Sequence, residues 1–302
     1  MQSLQLIDAP RTQEAPRAKR LPSWLKRDFP VGNEDFYTHR LLRELKLETV
    51  CENARCPNRP ECYARRTATF MILGNVCTRP CGFCSVPRGT PLDVQDDEPE
   101  RLAQAAQRLG LKHVVITSVT RDDLPDGGAD HFRRCVDAVR LRTGAVIEVL
   151  TPDFLGDTHA FDCVLQARPD VFNHNMETVP RLYKTVRPQA DYRQSLDVLR
   201  FAKQYRAEAL TKSGAMVGLG ESAAEIQQLL RDLRESSTDV ATLGQYLQPA
   251  RRNLRVAEYV TPAQFDGYRD YGLSIGFKMV FSGPLVRSSY MADMVSEEAS
   301  QA

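Results

Sequence analysis

Six of the eight cysteines in this chain of 302 residues lie in one stretch of the sequence, in two groups of three. The first group is Cys51, Cys56 and Cys62, and the second is Cys77, Cys81 and Cys84. The second group has the spacing CxxxCxxC, with which one short loop can supply thiolates to three corners of a cubic iron–sulfur cluster. Since a cluster held only by protein takes four cysteines, three cysteines leave one iron for another ligand.

Disulfides and zinc sites are the other common uses of clustered cysteines. Disulfides are typical of secreted proteins, but the segment after Met1 contains no apolar run that predicts a signal peptide. We therefore expect a reducing, cytoplasmic compartment. Zinc also binds thiolates, and His39 lies near the first group, yet zinc sites usually pair cysteines as CxxC and neither group contains two such pairs. Zinc is the competing interpretation. Cys135 and Cys163 lie in predicted helices and are expected to be small buried residues.

The composition sets wide limits on the class of protein. With 42% hydrophobic and 26% charged residues, the chain can bury a substantial core, as one large domain or two small ones. The 40 basic and 39 acidic residues give a net charge of +1, which predicts no dominant nucleic-acid footprint. No segment approaches the roughly 20 apolar residues that a membrane helix needs.

Short apolar runs rich in β-branched residues alternate with segments that have apolar residues at helical spacing. The predicted strands are 69–73, 114–117, 146–150, 171–175, 210–217 and 240–246. The predicted helices are 98–109, which Gly110 would cap, 129–142, 195–205 and 222–235. This alternation predicts an α/β protein with a parallel sheet, in the form of a partial (β/α)6 TIM-type barrel with N-terminal and C-terminal extensions.

Polar residues follow each of these predicted strands. The segments concerned are 77–84, 117–121, 151–153, 173–177, 218–221 and 245–249. In βα barrels the loops at the carboxyl ends of the strands carry the chemistry. We therefore expect these segments to meet at one face. The first 35 residues differ, because prolines alternate with basic residues and favour an extended tail, which Trp24 would attach to the surface.

The CxxxCxxC group after the first strand resembles that of the radical S-adenosylmethionine (radical SAM) enzymes. Phe83 is the aromatic residue that this family often has before its last cysteine, and residues 214–221 resemble its glycine-containing fifth-strand pattern. An isolated glycine match of this kind also fits an ordinary tight turn. The resemblance implies that S-adenosylmethionine binds the open iron and is cleaved by an electron from the cluster to a 5'-deoxyadenosyl radical.

The first cysteine group, CxxxxCxxxxxC, resembles the auxiliary-cluster signature of the lipoyl synthase family. Further blocks resemble that family in its order, namely 22–25 (PSWL), 119–128 (VTRDDLPDGG), 173–178 (NHNMET), 244–249 (GQYLQP) and 287–290 (RSSY). The organisation that we predict from this resemblance is an N-terminal extension (1–48), an auxiliary-cluster cysteine loop (49–68), a radical SAM partial barrel (69–281) and a C-terminal tail with the RSSY motif (282–302).

The resemblance implies insertion of two sulfur atoms, at carbons C6 and C8 of an octanoyl chain that is amide-linked to a carrier lysine. The implied carriers are the lipoyl domains of 2-oxo-acid dehydrogenases and the glycine-cleavage H protein. Two S-adenosylmethionine molecules are consumed per product, and an auxiliary 4Fe–4S cluster supplies the sulfur. An electron donor such as flavodoxin or ferredoxin and an iron–sulfur carrier are the other implied partners; neither nucleic acid nor a membrane is implied.

In this family the second serine of RSSY is the fourth ligand of the auxiliary cluster, so the resemblance assigns Ser289 to the site of Cys51, Cys56 and Cys62. A hydroxyl oxygen is a poorer iron ligand than a thiolate. Our hypothesis is that Ser289 makes one corner of that cluster labile, so that a substrate radical can attack a bridging sulfide.

The expected contacts to S-adenosylmethionine are less specific. The candidates are Phe83, Arg121, Asn175, Glu177, Arg187 and Glu221. The polar candidates also fit loop anchors, helix caps or surface salt bridges. We assign no acid or base, and in particular not His174, because this chemistry moves hydrogen atoms.

Two other functions remain as alternatives. A methylthiotransferase that acts on transfer RNA also inserts sulfur with a second cluster, but it should carry a basic RNA-binding domain, for which the length and the net charge leave no room. A non-catalytic zinc or iron–sulfur module is the second alternative, and iron and sulfide analysis would distinguish it.

Overall fold

The computed structural model describes residues 20–26, 34–289 and 292. Their strands form one eight-stranded sheet in chain order. The strands are β1 (Glu48–Thr49), β2 (Thr69–Ile72), β3 (His113–Ser118), β4 (Val146–Leu150), β5 (Val171–Asn173), β6 (Leu210–Val217), β7 (Val240–Gln245) and β8 (Met279–Gly283). β1 is antiparallel to β2, whereas β2 to β8 are parallel.

Helices precede and connect the parallel strands. They are α1 (Glu34–Glu44), α2 (Val50–Asn53), α3 (Arg59–Ala64), α4 (Glu98–Leu109), α5 (Ala129–Arg142), α6 (Thr158–Gln166), α7 (Tyr183–Val186), α8 (Tyr192–Tyr205), α9 (Ala223–Glu235) and α10 (Pro262–Ser274). Helices α1 to α3, which are short or N-terminal, precede the parallel strands, and α4 to α10 connect them. Gly110 ends α4 with φ +66°, which confirms the predicted cap. Ser222 and Glu225 form a capping box at the start of α9.

The α/β class and the barrel-like parallel sheet are confirmed, and so are the six predicted strands and four predicted helices, apart from shifts at their ends. The prediction of six strands lacked the two-residue β1 and also β8, which adds a seventh parallel strand beside β7. β8 is short, and its last three residues are only partly buried. An edge strand with a serine and a glycine lacks the continuous apolar run that identifies a buried parallel strand.

The hydrophobic core packs the helices against the sheet in two main clusters. One includes Ile116, Phe132 and Phe172 beneath α4, α5 and α6. The other includes Leu230 and Phe265 between the last strands and α9 and α10. Burial of each such side chain contributes about 1.5–3 kcal/mol, so the loops at the strand ends are mounted on a rigid frame.

The interior of the barrel contains a buried ion pair between β4 and β6, which are separated by β5 in the sheet. Lys212 Nζ of β6 lies 3.1 and 3.0 Å from the two carboxylate oxygens of Glu148 on β4. Asn173 and His113 provide the other contacts to that carboxylate, at 2.8 and 3.3 Å. Burial favours the neutral acid, but Lys212 and His113 overcome it and lower the pKa of Glu148 to about 2.

The predicted N-terminal tail lies mostly outside the described residues. Within 20–26 the buried side chain is Leu25 at 4% exposure, whereas Trp24 is 38% exposed. Leu25, and not the predicted Trp24, is therefore the residue that packs against the protein, and it lies in the single turn at Ser23–Leu25. Cys135 is fully buried as expected, and Cys163 is partly buried. Among the described helices, none has the length and apolar character needed to cross a membrane.

Candidate functional site

Cys77, Cys81 and Cys84 lie in a loop that follows β2, residues 73–89, which we call the second cysteine loop. Its base is closed by two backbone hydrogen bonds, from Cys77 N to Pro87 O at 2.8 Å and from Gly89 N to Cys77 O at 3.1 Å. The three cysteines therefore stand at the carboxyl edge of the parallel sheet, where the sequence places them.

The tip of the second cysteine loop is hydrogen-bonded to two distant segments of the barrel. Gly82 N donates to Val186 O at 2.9 Å, and Leu254 N donates to Gly82 O at 3.0 Å. Asn253 Nδ2 donates to Cys84 O at 2.7 Å. A Cβ at Gly82 would lie 3.0 Å from the Leu254 side chain and 3.1 Å from a backbone oxygen, so this close approach favours glycine.

Arg79, between the first two cysteines of this loop, joins the loop to the ends of β3 and β4. Its guanidinium donates twice to Asp122, at 2.7 and 2.8 Å, and to Asp153 at 2.8 Å. Only 6% of the Arg79 side chain is exposed. Charge-assisted bonds to two carboxylates in a buried position fix the loop strongly. Arg79 was not among the residues predicted from the sequence, although its position inside the CxxxCxxC motif could have indicated a role in this loop.

The thiols of the second cysteine loop lie close enough to influence one another. Burial raises the pKa of Cys81 to about 12 and that of Cys84 to about 11, and the charge of neighbouring thiols adds to both shifts. Arg187 opposes the rise at Cys81. Binding of iron deprotonates such thiols, and three mutually close thiols in one loop fit the donor set of a cluster with three cysteine ligands.

Three of the candidate contacts to S-adenosylmethionine lie together beside this loop. Asn175 Nδ2 donates to Glu177 Oε1 at 3.1 Å, and Arg187 Nη1 donates to Asn175 O at 2.8 Å. Burial raises the pKa of Glu177, against the opposing charge of Arg187. A Cβ at Gly214 would lie 2.9 Å from Asn175 Oδ1 and nearer still to a threonine hydroxyl, so the glycine of β6 makes room for this group.

The other candidates have different positions. Phe83 is partly buried in the second cysteine loop. The carboxylate of Glu221 accepts hydrogen bonds from the backbone of Gly218 and, at 3.0 Å, from that of Leu219, so it stabilises the turn after β6. Arg121 donates to Asp123 at 2.8 Å and is 3% exposed, so its guanidinium serves the loop after β3 instead of an external carboxylate.

His174 is buried beneath this group. Its Nδ1 lies 2.9 Å from Thr151 O. Burial, assisted by the charge of Arg187, lowers its pKa to about 4. The imidazole is therefore neutral near pH 7.

Cys51, Cys56 and Cys62 lie in residues 49–68, which we call the first cysteine loop and which contains α2 and α3. Cys51 is buried, and this burial raises its pKa to about 11. Hydrogen bonds with Thr69 and the proximity of Cys56 also affect that thiol. The side chain of Thr69, at the start of β2, is thus in direct contact with the first cysteine loop.

Thr69 also contacts the C-terminal segment. Its Oγ1 donates to Ser289 Oγ at 2.7 Å, across 220 positions of the chain. Asn58 Nδ2, in the first cysteine loop, donates to Leu285 O at 2.8 Å. Ser289 and the Cys51 thiol therefore share Thr69 as a hydrogen-bonding neighbour. Neither Asn58 nor Thr69 could be identified from spacing, because each acts only through a partner far along the chain.

The segment that carries Ser289 crosses the carboxyl edge of the sheet. Asn175 Nδ2 donates to Ser288 Oγ at 3.3 Å, so Ser288 contacts the group beside the second cysteine loop, whereas Ser289 contacts Thr69. A Cβ at Gly244 would collide with the carbonyl oxygen of Val286. Glycine at the end of β7 therefore allows this crossing. Tyr290, the last residue of the RSSY block, lies outside the described residues.

The surroundings of His39 bear on the zinc interpretation. His39, the nearest histidine in sequence, pairs with Glu52 at 3.2 Å. Within the described parts of the chain, no group of three or more histidine, cysteine, aspartate or glutamate side chains is arranged to hold a metal ion. The ligands of a cubic cluster bind separate irons and lie farther apart than those of one ion, so a cluster does not require such a group.

Comparisons with known proteins identify the family of this chain. Residues 71–233 match the Radical SAM superfamily, and residues 5–56 match the N-terminal domain of lipoyl synthase of the Radical SAM family. The lipoyl synthase of Rhodopirellula baltica is 61% identical over 92% of this chain and 89% of its own length. The chain belongs to the lipoyl synthase family of the radical SAM superfamily. The lipoyl synthase of Caldanaerobacter subterraneus is 54% identical over 91% of this chain and 96% of its own.

Solved structures of more distant proteins share the fold of this lipoyl synthase family member. Methylornithine synthase (PylB) has a TM-score of 0.52 at 16% identity and covers 82% of both chains. Streptococcus suis SuiB bound to S-adenosylmethionine has a TM-score of 0.54 at 13% identity, over 80% of this chain and 57% of SuiB. At such low identity the likeness concerns the fold alone.

Proposed function

We propose that this chain catalyses the insertion of two sulfur atoms at carbons C6 and C8 of a protein-bound octanoyl-lysine, with two 4Fe–4S clusters and S-adenosylmethionine. Membership of the lipoyl synthase family supports the overall activity. The observation that carries the finer proposal is the contact of Thr69 with both Ser289 and the Cys51 thiol. It supports a ligand set that combines the first cysteine loop with the C-terminal serine.

The two cysteine loops have different roles in this proposal. Cys77, Cys81 and Cys84 would hold one cluster, and the first cysteine loop with Ser289 would hold the auxiliary one. When bound, the first of these supplies the electron that cleaves S-adenosylmethionine to a radical, and the auxiliary cluster supplies the sulfur. Because Ser289 offers a hydroxyl oxygen, iron should leave that corner more easily than a corner held by thiolate.

The residues beside the second cysteine loop would bind and orient S-adenosylmethionine. Asn175, Glu177 and Arg187 offer an amide, a carboxylate and a guanidinium within one hydrogen-bonded group, which suits the amino and carboxylate ends of this cofactor. Phe83 would cover it from the loop. Glu221 would act through the Gly218 turn that its carboxylate stabilises.

The substrate is then an octanoylated carrier protein, which fits lipoyl domains and the glycine-cleavage H protein. A flavodoxin or ferredoxin would supply electrons, and an iron–sulfur carrier would restore the auxiliary site. The thiols require a reducing compartment such as the cytoplasm. The four-part division at residues 48, 68 and 281 belongs to the same proposal.

Anaerobic reconstitution followed by incubation with S-adenosylmethionine, a reductant and an octanoyl-lysyl peptide tests the proposal. We expect about eight iron and eight sulfide per chain, and mass spectrometry should show a peptide that has gained two sulfur atoms. Stoichiometric zinc, or 5'-deoxyadenosine formed without any gain of sulfur, would contradict it.

A further inference from the structure

The turn after β7 carries an unusual concentration of positive charge. Arg251, Arg252 and Arg255 lie within five residues and are all exposed. The nearest acidic residue in sequence is Glu258, although the chain as a whole has almost equal numbers of basic and acidic residues. We call residues 249–255 the arginine turn.

The arginine turn lies between the two cysteine loops. Arg55 of the first cysteine loop donates from Nη1 to Pro249 O at 3.3 Å. On the other side, Arg252 Nη2 donates to Ser85 O at 3.3 Å, next to the bond between Leu254 N and Gly82 O. A protein surface that approaches both loops from this side would therefore meet the turn.

Most exposed arginines on the outer helices are neutralised. Arg133 on α5 pairs with Asp130 and Asp137, and Arg181 pairs with Glu225. By contrast, among the residues that the structure describes, no carboxylate pairs with Arg251 or Arg255. Both side chains are exposed, and a guanidinium binds carboxylate in a bidentate geometry.

We propose that the arginine turn is a docking surface for acidic side chains that flank the acylated lysine of the carrier protein. The inference rests on the proposed function, because a lysine that carries the substrate must bring its own protein surface to the entrance. Exposed complementary charges accelerate encounter and set orientation more than they strengthen the final complex. The reacting acyl chain does not touch the turn.

The test compares two substrates in the R251Q/R255Q variant, which keeps Arg252 and its bond to Ser85. We expect KM for an octanoylated carrier domain to rise about 5–10-fold at low salt, with kcat unchanged, since exposed ion pairs are individually weak. Turnover of a short octanoyl-lysyl peptide without acidic residues should stay the same. The R43Q/R193Q variant removes two exposed arginines from α1 and α8 and is the matched control; it should leave both substrates unaffected.

A titration of fluorescently labelled enzyme with the unacylated carrier domain measures the affinity of docking in the absence of turnover. The wild-type protein should bind more weakly as salt increases, and the R251Q/R255Q variant should lose most of that salt dependence. An unchanged carrier affinity, or an equal loss with the short peptide, would overturn the proposal. If the wild type bound RNA and the R251Q/R255Q variant did not, while KM for the carrier domain was the same in both, the proposal would also be overturned. If the wild type turns over neither substrate, the proposed function fails, while the titration still decides the docking surface.

Discussion

The two cysteine loops differ in what holds them in place. The second cysteine loop is joined to the barrel by backbone hydrogen bonds with Val186 and Leu254 and by the buried Arg79. The first cysteine loop contacts the C-terminal segment through Asn58, and Thr69, which follows the loop at the start of β2, contacts Ser289 of the same segment. One loop is built into the barrel, whereas the other is completed by a segment that could be displaced.

This difference matches the roles that we propose. A site that generates radicals in every turnover must keep its geometry, and a loop fixed to several strands does so. A site whose cluster is consumed must open and be refilled. Side-chain hydrogen bonds contribute only about 1 kcal/mol each, so the contacts between the tail and the first cysteine loop can break at small cost.

The largest expected effect separates the two loops directly. Cys81→Ala should remove about four of about eight iron atoms and abolish formation of 5'-deoxyadenosine, because the second cysteine loop loses a ligand. Cys56→Ala should lose a similar amount of iron but still form 5'-deoxyadenosine without sulfur insertion. Iron analysis with chromatography of the nucleoside measures both. Loss of 5'-deoxyadenosine in both variants would mean that the two sites are not independent.

A substitution in the barrel interior should destabilise the whole fold and so affect both loops equally. Lys212→Met leaves the Glu148 carboxylate buried without its cation, which should lower the free energy of unfolding by about 3–5 kcal/mol. Denaturant titration measures this loss. The double variant E148Q/K212M removes both charges and should recover part of it; no recovery would show that the cost comes from packing.

The same ion pair predicts a pH dependence of stability. Glu148 has a pKa of about 2 in the folded protein and an ordinary value of 4.5. Because the folded pKa is the lower one, its contribution is present above the ordinary value and is lost as the pH falls towards 2. Unfolding measured between these limits should show a steeper loss of stability in the wild type than in E148Q/K212M, and equal slopes would refute the assignment.

Arg79→Lys should affect the second cysteine loop alone. Lysine keeps the charge but cannot bond to Asp122 and Asp153 together, so the loop should be held less firmly. We expect about 10-fold slower formation of 5'-deoxyadenosine, as expected for a small displacement near reacting groups. Iron at the first cysteine loop should not change. The control is Arg133→Lys in an exposed ion pair, and an equal effect there would contradict the assignment.

Thr69→Val should have the smallest effect of these variants, and we expect that effect at the first cysteine loop. It removes the hydroxyl between Ser289 and Cys51 while keeping the shape of the side chain, at a cost of about 1 kcal/mol in stability. The auxiliary cluster should lose iron faster in the presence of a chelator. Thr67→Val, at an exposed hydrogen bond in the same loop, is the matched control and should not change that rate.

The sequence predicted the α/β frame well, because strands and helices are local patterns. The strands from 69 to 246 have compact apolar runs, and the CxxxCxxC spacing is contained in one loop. The contacts that complete the sites depend on tertiary structure and could not be predicted in this way. Ser289 meets Thr69 only after the chain has formed the whole sheet, and the family resemblance, not the spacing, pointed to it.

The predicted side-chain contacts to S-adenosylmethionine show the same limit. The sequence could indicate that Glu221 and Arg121 lie at the strand ends, but not where their side chains bond. Glu221 accepts from its own turn and Arg121 binds Asp123, because a partner two or three residues away is easily reached. Asn175, Glu177 and Arg187 come together because β5, β6 and α7 place them side by side.

The most direct test of the difference between the loops is the Ser289→Cys variant. Thiolate in place of the hydroxyl should hold the iron at that corner more firmly. After anaerobic reconstitution, mass spectrometry of an octanoyl-lysyl peptide incubated with S-adenosylmethionine and reductant measures sulfur insertion. We predict an assembled auxiliary cluster and 5'-deoxyadenosine, but little or no sulfur in the peptide. A normal yield of the lipoyl product from this variant would contradict the proposal that Ser289 makes the auxiliary cluster labile.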